Sequence, residues 1–588
     1  MPQEKSMGES DLHGLRELCA LTESSLAHFV SVARMYFSLP SSPPYLKAFL
    51  ADADLADDDR LSKYGKCLVD AFSHLPSDAA FPSPQLAGRL SKVHDMVSSL
   101  QALSAGLSSP PLHSSLRVPR VPFGKTGLDI SVVTVGCMRW QQTWKQLPDM
   151  SSVKEECQEN LVATMKRAIL LGVNHFETAR GYGCSELQMG VAFKQLFDSG
   201  FCKREDILIQ TKVNPKNTAK EFREEIEKSF AFLQLEYVDL FSFHGLNREW
   251  CYDRLFNNGD NGNLYDVVEE YVKAGRVRHV GFSTHAPANE ISRLIASDKF
   301  AYVNLHYHFC GSYTASGHGA YGGNLQNVIE AAKRNMGVFV ISPFDKGGAL
   351  YAPSRRLRSL CLPDLEPLEF GALWLWQHAV HGGAHGSGGA GAGAPVHTIT
   401  IGVARPSDLD EPCFAALMLR NEPERALAKV EAVKARLARA FDEAHGEGWA
   451  SEWFKGLPTC YDTTTGVDFT QYVWLYNVIK AWGMLFFAKQ RYNTGKGNRA
   501  KWVNTASYEE NMATQDWGYM PGLTPVKGED YRPILRSHGV PEGQIERIMS
   551  ILGEVLSLLD GTAGLSDEER RDMTEVDLRP WTAFPERS

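Results

Sequence analysis

The chain has 588 residues, of which 43% are hydrophobic and 22% charged, with a formal net charge of −9 at pH 7. That length exceeds one ordinary core, so more than one domain is expected. The acidic balance excludes a broadly basic nucleic-acid surface. Eleven cysteines are scattered singly, without a CxxC pair, which fits free thiols in a reducing compartment.

The opening "MPQEKSMGESDLHGLRELCAL" is too acidic and polar for a secretory leader, and a cytoplasmic protein is expected. No apolar run reaches the roughly 18–20 residues that cross a membrane. The warmest segment, "YVWLYNVIKAWGMLFFA" (472–488), contains Asn477 and Lys480 and reads as a buried helix. Neither a membrane nor a nucleic-acid partner is expected.

Residues 1–117 carry helical spacing broken by "LPSSPPYL" and "LPSDAAFPSPQ", and a small helical unit is expected there. From residue 118 the rhythm changes. Short strand candidates follow at 130–137, 172–177, 206–212, 237–244, 276–283, 301–307, 337–344 and 397–403. Amphipathic helices such as "ENLVATMKRAILLG" and "AKEFREEIEKSFAFLQL" lie between several of them. This βα rhythm predicts an α/β fold, a parallel (β/α)₈ TIM barrel over 118–425. A doubly wound sheet usually stops sooner and prefers a glycine-rich first turn, which no strand here has.

"FGKTG" (123–127) is not a phosphate loop, because Pro119 stands where that motif needs glycine. "VHGGAHGSGGAGAGAPVH" (380–397) is a low-complexity insertion before the last strand. Residues 426–588 form a C-terminal helical domain. "RALAKVEAVKARLARAFDEAH" reads as a solvent-facing helix with cations spread around it, and further helical patterns cover 475–490 and 542–559. The two helical extensions offer a surface for a protein partner.

In a parallel barrel the C-terminal strand ends face one pocket. Four polar residues converge there: Glu177 ends the second candidate strand, Tyr182 lies in the loop after it, Lys212 ends the third and His244 the fourth. A phenol with a pKa near 10 exchanges protons poorly at neutral pH. A nearby ammonium stabilises its phenolate, and a carboxylate holds the ammonium in place. A histidine can orient a carbonyl oxygen. If hydride reaches a carbonyl carbon, such a group protonates the oxyanion that develops.

With these residues in place, the chain resembles the aldo-keto reductase family over roughly 120–412. "DISVVTVGCMRW" (129–140) resembles its first strand, and "GVNHFETARGYGCSELQMG" (172–190) its signature, with Glu177 where the pattern carries aspartate. "TKV", "DLFSFHG", "HVGFSTHA" and "VFVISPFDKGGAL" continue the likeness. The resemblance implies catalytic roles for Glu177, Tyr182, Lys212 and His244. It implies NADP(H) as cofactor, bound by Ser283, Thr284, Asn304, Gly402, Arg405, Ser407 and Glu411, and a small carbonyl substrate reduced to an alcohol. Asp408 and Pro412 depart from the pattern of the loop after the eighth strand.

The tail "GVDFTQYVWLYNVIKAWGMLFFAKQRY" (466–492) resembles the branch carrying a ferredoxin-like C-terminal module. Cys460 is the only cysteine in the adjoining segment, so the four thiolates of an iron–sulfur cluster are missing and no cluster or other metal is expected. In "HYHFC", His306, His308 and Cys310 alternate at strand spacing but enter a loop, so they are not taken as metal ligands. The alternative to a reductase is a catalytically impaired barrel acting as a cofactor sensor or a scaffold, motivated by Glu177, Asp408, Pro412 and the helical extensions.

Overall fold

A computed structural model of the chain describes residues 117–311, 324–380, 396–459, 461–503, 506–507, 510–511 and 521–575. The unit expected over 1–117 lies outside the described residues except at its last position, as do most of the glycine-rich insertion and Cys460.

Eight parallel strands close into a barrel: β1 (Val133–Gly136), β2 (His175–Glu177), β3 (Leu208–Val213), β4 (Val238–Phe243), β5 (Val277–Ser283), β6 (Tyr302–Leu305), β7 (Gly337–Ile341) and β8 (Thr398–Gly402). They pair in chain order, and β8 pairs with β1 to close the ring. Nearly every strand residue is buried, because the strands face side chains within and helices outside. The α/β barrel expected from the sequence is the fold.

The lumen is layered by strand alternation. At its base Phe123, Ile130, Leu208, Leu240, Tyr302 and Phe339 form an apolar plug. Phe123 comes from a hairpin that pairs Arg120–Pro122 with Asp129–Ser131 beneath the barrel. The candidate strand at 130–137 is therefore two elements. Residues 129–131 belong to this hairpin, and β1 begins only at Val133, a break that an uninterrupted apolar run does not reveal.

Above the plug lies a polar layer. Gln210 Nε2 donates to Ser242 Oγ (2.8 Å) and to Asn304 Oδ1 (3.3 Å), and Ser242 Oγ donates to Tyr302 OH (3.0 Å). Two residues further along β2 and β3, the same alternation delivers Glu177 and Lys212 to the open C-terminal end.

Helices Pro423–His445, Phe469–Trp482 and Glu542–Leu559 pack in series into the C-terminal appendage. The first is not solvent-facing all round: Ala426, Val430, Val433, Leu437, Ala440 and Phe441 are buried, so its cations occupy one side only. The apolar stretch from 472 to 488 is two helices, because Gly483 (φ 70°) ends the first in a left-handed cap before Leu485–Ala500 begins. Among the described residues no helix is long and apolar enough to cross a membrane. The appendage reaches the barrel mouth, where Trp474 Nε1 donates to Gly311 O (2.6 Å) and Ser354 Oγ to Trp482 O (2.7 Å).

Candidate active site

The C-terminal end of the barrel opens into a cavity of about 440 Å³. Glu177, Tyr182, Lys212 and His244 all line it, together with Ser283, Gly402, Arg405 and Glu411. The fold therefore gathers residues separated by more than two hundred positions in the chain.

Lys212 is 1% exposed and Glu177 4%. The Lys212 ammonium donates to Glu177 Oε1 and to the Thr178 carbonyl oxygen (2.8 Å). The same nitrogen lies 4.8 Å from the centre of the Tyr182 ring, and the His244 ring meets Tyr182 edge-on at 5.4 Å between centroids. A buried ion pair holds one charge against a phenol, and an imidazole borders its other side.

Electrostatics assigns protonation states. Burial, reinforced by the Glu177 carboxylate and Cys137, holds the Tyr182 phenol well above its ordinary range, so the hydroxyl keeps its proton. Burial pulls the Lys212 ammonium down, and the Glu177 carboxylate pushes it back up. Burial, with Lys212 and Lys346 adding to it, takes His244 down to about 3, so its imidazole is neutral. His244 Nδ1 has no hydrogen-bond partner among the described residues.

The remaining candidates divide. Ser283 lines the cavity and its Oγ accepts from Gly245 N (3.1 Å). Thr284 does not line it: its hydroxyl donates to Leu246 O (2.8 Å) and accepts from Ala286 N (2.9 Å), tying the loop. Asn304 sits one layer deeper, bonded through Oδ1 to Gln210, while its buried Nδ2 lacks a partner among the described residues. Gly402 leaves room for Arg139, since a Cβ there would come within 2.8 Å of Arg139 Nε. Ser407 lies in the turn Pro406–Leu409, its side chain outside the described residues.

Arg405 does not face the cavity alone. Asp408 Oδ2 accepts from Ala404 N (2.8 Å) and Arg405 N (3.3 Å), and Oδ1 lies 3.4 Å from Arg405 Nε. A carboxylate of the chain thus sits on backbone donors and a guanidinium that together suit a phosphate.

Several lining residues escaped the reading of the sequence. Thr400, on β8, presents a buried Oγ1 with no partner among the described residues. Arg139 bridges to Asp345 Oδ2 at 3.0 Å, from the loop after β1 to the loop after β7. Lys346 is pulled down to about 7 by burial, which Asp345 partly offsets. His285, unlike these, stands out in the sequence as a residue beside the fifth strand end that helps shape the pocket; it lines the cavity, and its Nδ1 lies 2.6 Å from His306 Nε2. Arg139, Asp345 and Lys346 stood within quoted motifs, but the loop geometry that aims them is set by tertiary packing.

These groups suit a nicotinamide dinucleotide. Ser283, Thr400 and His244 line the cavity with hydrogen-bonding atoms, and Lys346, Arg139 and Arg405 bring basic side chains to its β7–β8–β1 side, a donor set that fits phosphate groups.

A family model described as the aldo/keto reductase family matches residues 132–358. The NAD(P)H-dependent D-xylose reductase of Scheffersomyces stipitis is 29% identical over 179 residues, 27% of this chain and 50% of that protein. Aldo-keto reductase family 1 member A1 of Mus musculus is 34% identical over 156 residues, 26% of this chain and 37% of that protein. L-galactose dehydrogenase of Arabidopsis thaliana is 29% identical over 175 residues, covering 27% and 47%. The chain spans about half the length of the curated relatives it matches, or less. Among solved structures, an aldo-keto reductase from Bacillus halodurans in its holo form is similar at 17% identity and a TM-score of 0.39, covering 54% of this chain and 96% of that one. Residues 132–358, which hold seven of the eight strands of the closed parallel barrel, are thus similar to the aldo/keto reductase family.

Proposed function

We propose that the chain is an NADP(H)-dependent oxidoreductase that interconverts a small aldehyde or ketone and the corresponding alcohol. The observation that carries this reading is the Lys212 ammonium held between the Glu177 carboxylate and the Tyr182 ring at the floor of one cavity.

Bound dinucleotide supplies or accepts the hydride. The chain's own residues manage the proton and the charge. His244, neutral and with Nδ1 unspent, orients the carbonyl oxygen beside Tyr182. The oxyanion that develops is a far stronger base than a phenolate, so Tyr182 OH donates its proton to it even with a raised pKa. Lys212 stabilises the phenolate left behind, and Glu177 keeps Lys212 charged and aimed. Arg405, Glu411, Gly402 and Ser283 are proposed to hold the dinucleotide, and Arg405 to meet the extra phosphate of NADP(H) through its fork of donors.

The Glu177 side chain reaches Lys212 despite being about one methylene longer than the aspartate of the family pattern. That contact supports an active site rather than a disabled one. One observation favours the second reading, a barrel without efficient turnover that acts as a scaffold: Asp408 already occupies donors that a phosphate would use. Fluorescence titration with NADPH, paired with a panel of aldehydes and ketones, separates these readings. Binding with turnover supports the reductase, binding without turnover across the panel supports a cofactor sensor, and failure of both supports a scaffold.

A further inference from the structure

Tyr182 sits at the apex of a loop that begins at Thr178 and ends at Glu186 in the first turn of helix Ser185–Asp198. Two rungs cross the base of this loop. Thr178 Oγ1 and Ser185 Oγ are 2.9 Å apart, and Arg180 Nη1 donates to Glu186 Oε2 at 2.7 Å. The second rung is an ion pair whose side chains are 5% and 1% exposed. Its charges are further committed: Arg180 Nη2 donates to Gln146 Oε1 (2.7 Å), Arg180 Nε lies 3.4 Å from Glu225 Oε2, and the guanidinium stacks 4.5 Å above Phe232. Between the rungs the turn depends on Gly183 at φ 55°, where a Cβ would fall 2.2 Å from Thr143 O.

Two further bonds link this loop to the neighbouring strand. Thr211 Oγ1 donates to Glu186 Oε1 at 2.5 Å, and Arg180 N donates to Lys212 O at 2.8 Å. Thr211 and Lys212 are adjacent on β3, so alternation sends one side chain outward to the loop and the other inward to the phenol. One strand therefore grips the tyrosine loop with one residue and meets the tyrosine ring with the next. A buried ion pair is weak evidence for stability, since apolar packing often serves as well. Its placement across the single loop that carries the phenol, with a tie to the residue beside Lys212, gives it a positional task.

We propose that Arg180, Glu186 and Thr211 form a clamp of positioning residues that sets the distance between the Tyr182 phenol and the Lys212 ammonium. The clamp rests on the reading of Tyr182 as proton donor for its consequence, but its geometry can be tested apart from that reading.

The test uses the full chain with tyrosine labelled at ¹³Cζ, the Tyr182 resonance being assigned as the one lost in Tyr182→Phe. Thr211→Val removes the tie while keeping volume and the Arg180–Glu186 pair, and Thr211→Ser restores the hydroxyl. Thr211→Val is expected to displace the Tyr182 resonance and to lower kcat for NADPH-dependent reduction of 4-nitrobenzaldehyde about tenfold. The Kd for NADPH should stay within about twofold, and Thr211→Ser should recover both the resonance and kcat. A Tyr182 resonance unmoved in Thr211→Val and in Glu186→Gln overturns the clamp. Undiminished reduction by Tyr182→Phe refutes the proton-donor reading instead, and the resonance then judges the clamp on its own.

Discussion

Glu177→Asp withdraws a carboxylate from the ammonium it touches by about 1.5 Å, one carbon–carbon bond. Lys212 keeps the Thr178 carbonyl oxygen at 2.8 Å and loses its charged partner. Stretching an ordinary charge-assisted contact of about 2.8 Å to about 4.3 Å weakens the attraction by about 2 kcal/mol at an effective dielectric of about 20. That is roughly thirtyfold in a rate that depends on the ammonium. The geometric estimate is similar, since a misplacement of ~1 Å costs ~10²-fold when nothing compensates. Steady-state reduction of an aldehyde with NADPH should therefore fall about 30- to 100-fold in kcat, with little change in cofactor affinity. The family pattern invites the opposite expectation, that aspartate would restore a better geometry. Turnover equal to or faster than the unsubstituted chain would refute the argument that the lumen is built around the longer acid.

Asp408→Ala frees Ala404 N, Arg405 N and the Arg405 guanidinium, and is expected to tighten NADPH binding about tenfold by fluorescence titration; equal or weaker binding would show that Asp408 does not compete with a phosphate. Burial also keeps several barrel histidines neutral: His175 and His308 are lowered to about 3 and His397 to about 4, against an ordinary value near 6.5. Their folded values lie below the unfolded one, so the unfolded chain takes up protons first and stability falls as pH drops from about 6.5 toward 4. The loss approaches about 1.4 kcal/mol per histidine per pH unit. Urea midpoints measured from pH 7.5 to 5 should decline over that window, and a flat profile would contradict neutral buried imidazoles.

The barrel was legible because a parallel strand buried on both faces writes a short apolar run, and eight such runs alternate with helical spacing. Lys212 and His244 could be placed because each ends a run. Where the reading differed from the structure, the cause was tertiary. Residues 129–131 look like the start of the first barrel strand, yet they pair with Arg120–Pro122 beneath the barrel. The sixth strand stops at Leu305 although the apolar alternation runs on, and His306 turns instead to His285. The cations of the helix Pro423–His445 conceal an apolar face that only its neighbours reveal.

The site divides along the same line. Residues at strand ends point where alternation sends them, so Glu177, Lys212, His244 and Ser283 reach the cavity. Thr284 is drawn into its own loop by Leu246 and Ala286, a local bond that sequence spacing does not announce. Arg139, Asp345 and Lys346 meet only because the loops after β1 and β7 flank β8 in the closed ring. Their partnership is a property of the ring, not of any one segment.

The central claim is that the Tyr182 hydroxyl protonates the oxygen of a reacting carbonyl beside the bound dinucleotide. Its most direct test is single-turnover oxidation of pre-bound NADPH by 4-nitrobenzaldehyde, compared between the unsubstituted chain and Tyr182→Phe. The account predicts that Tyr182→Phe binds NADPH within about twofold yet oxidises it at least about 10²-fold more slowly. Equal single-turnover rates in the two proteins would contradict it.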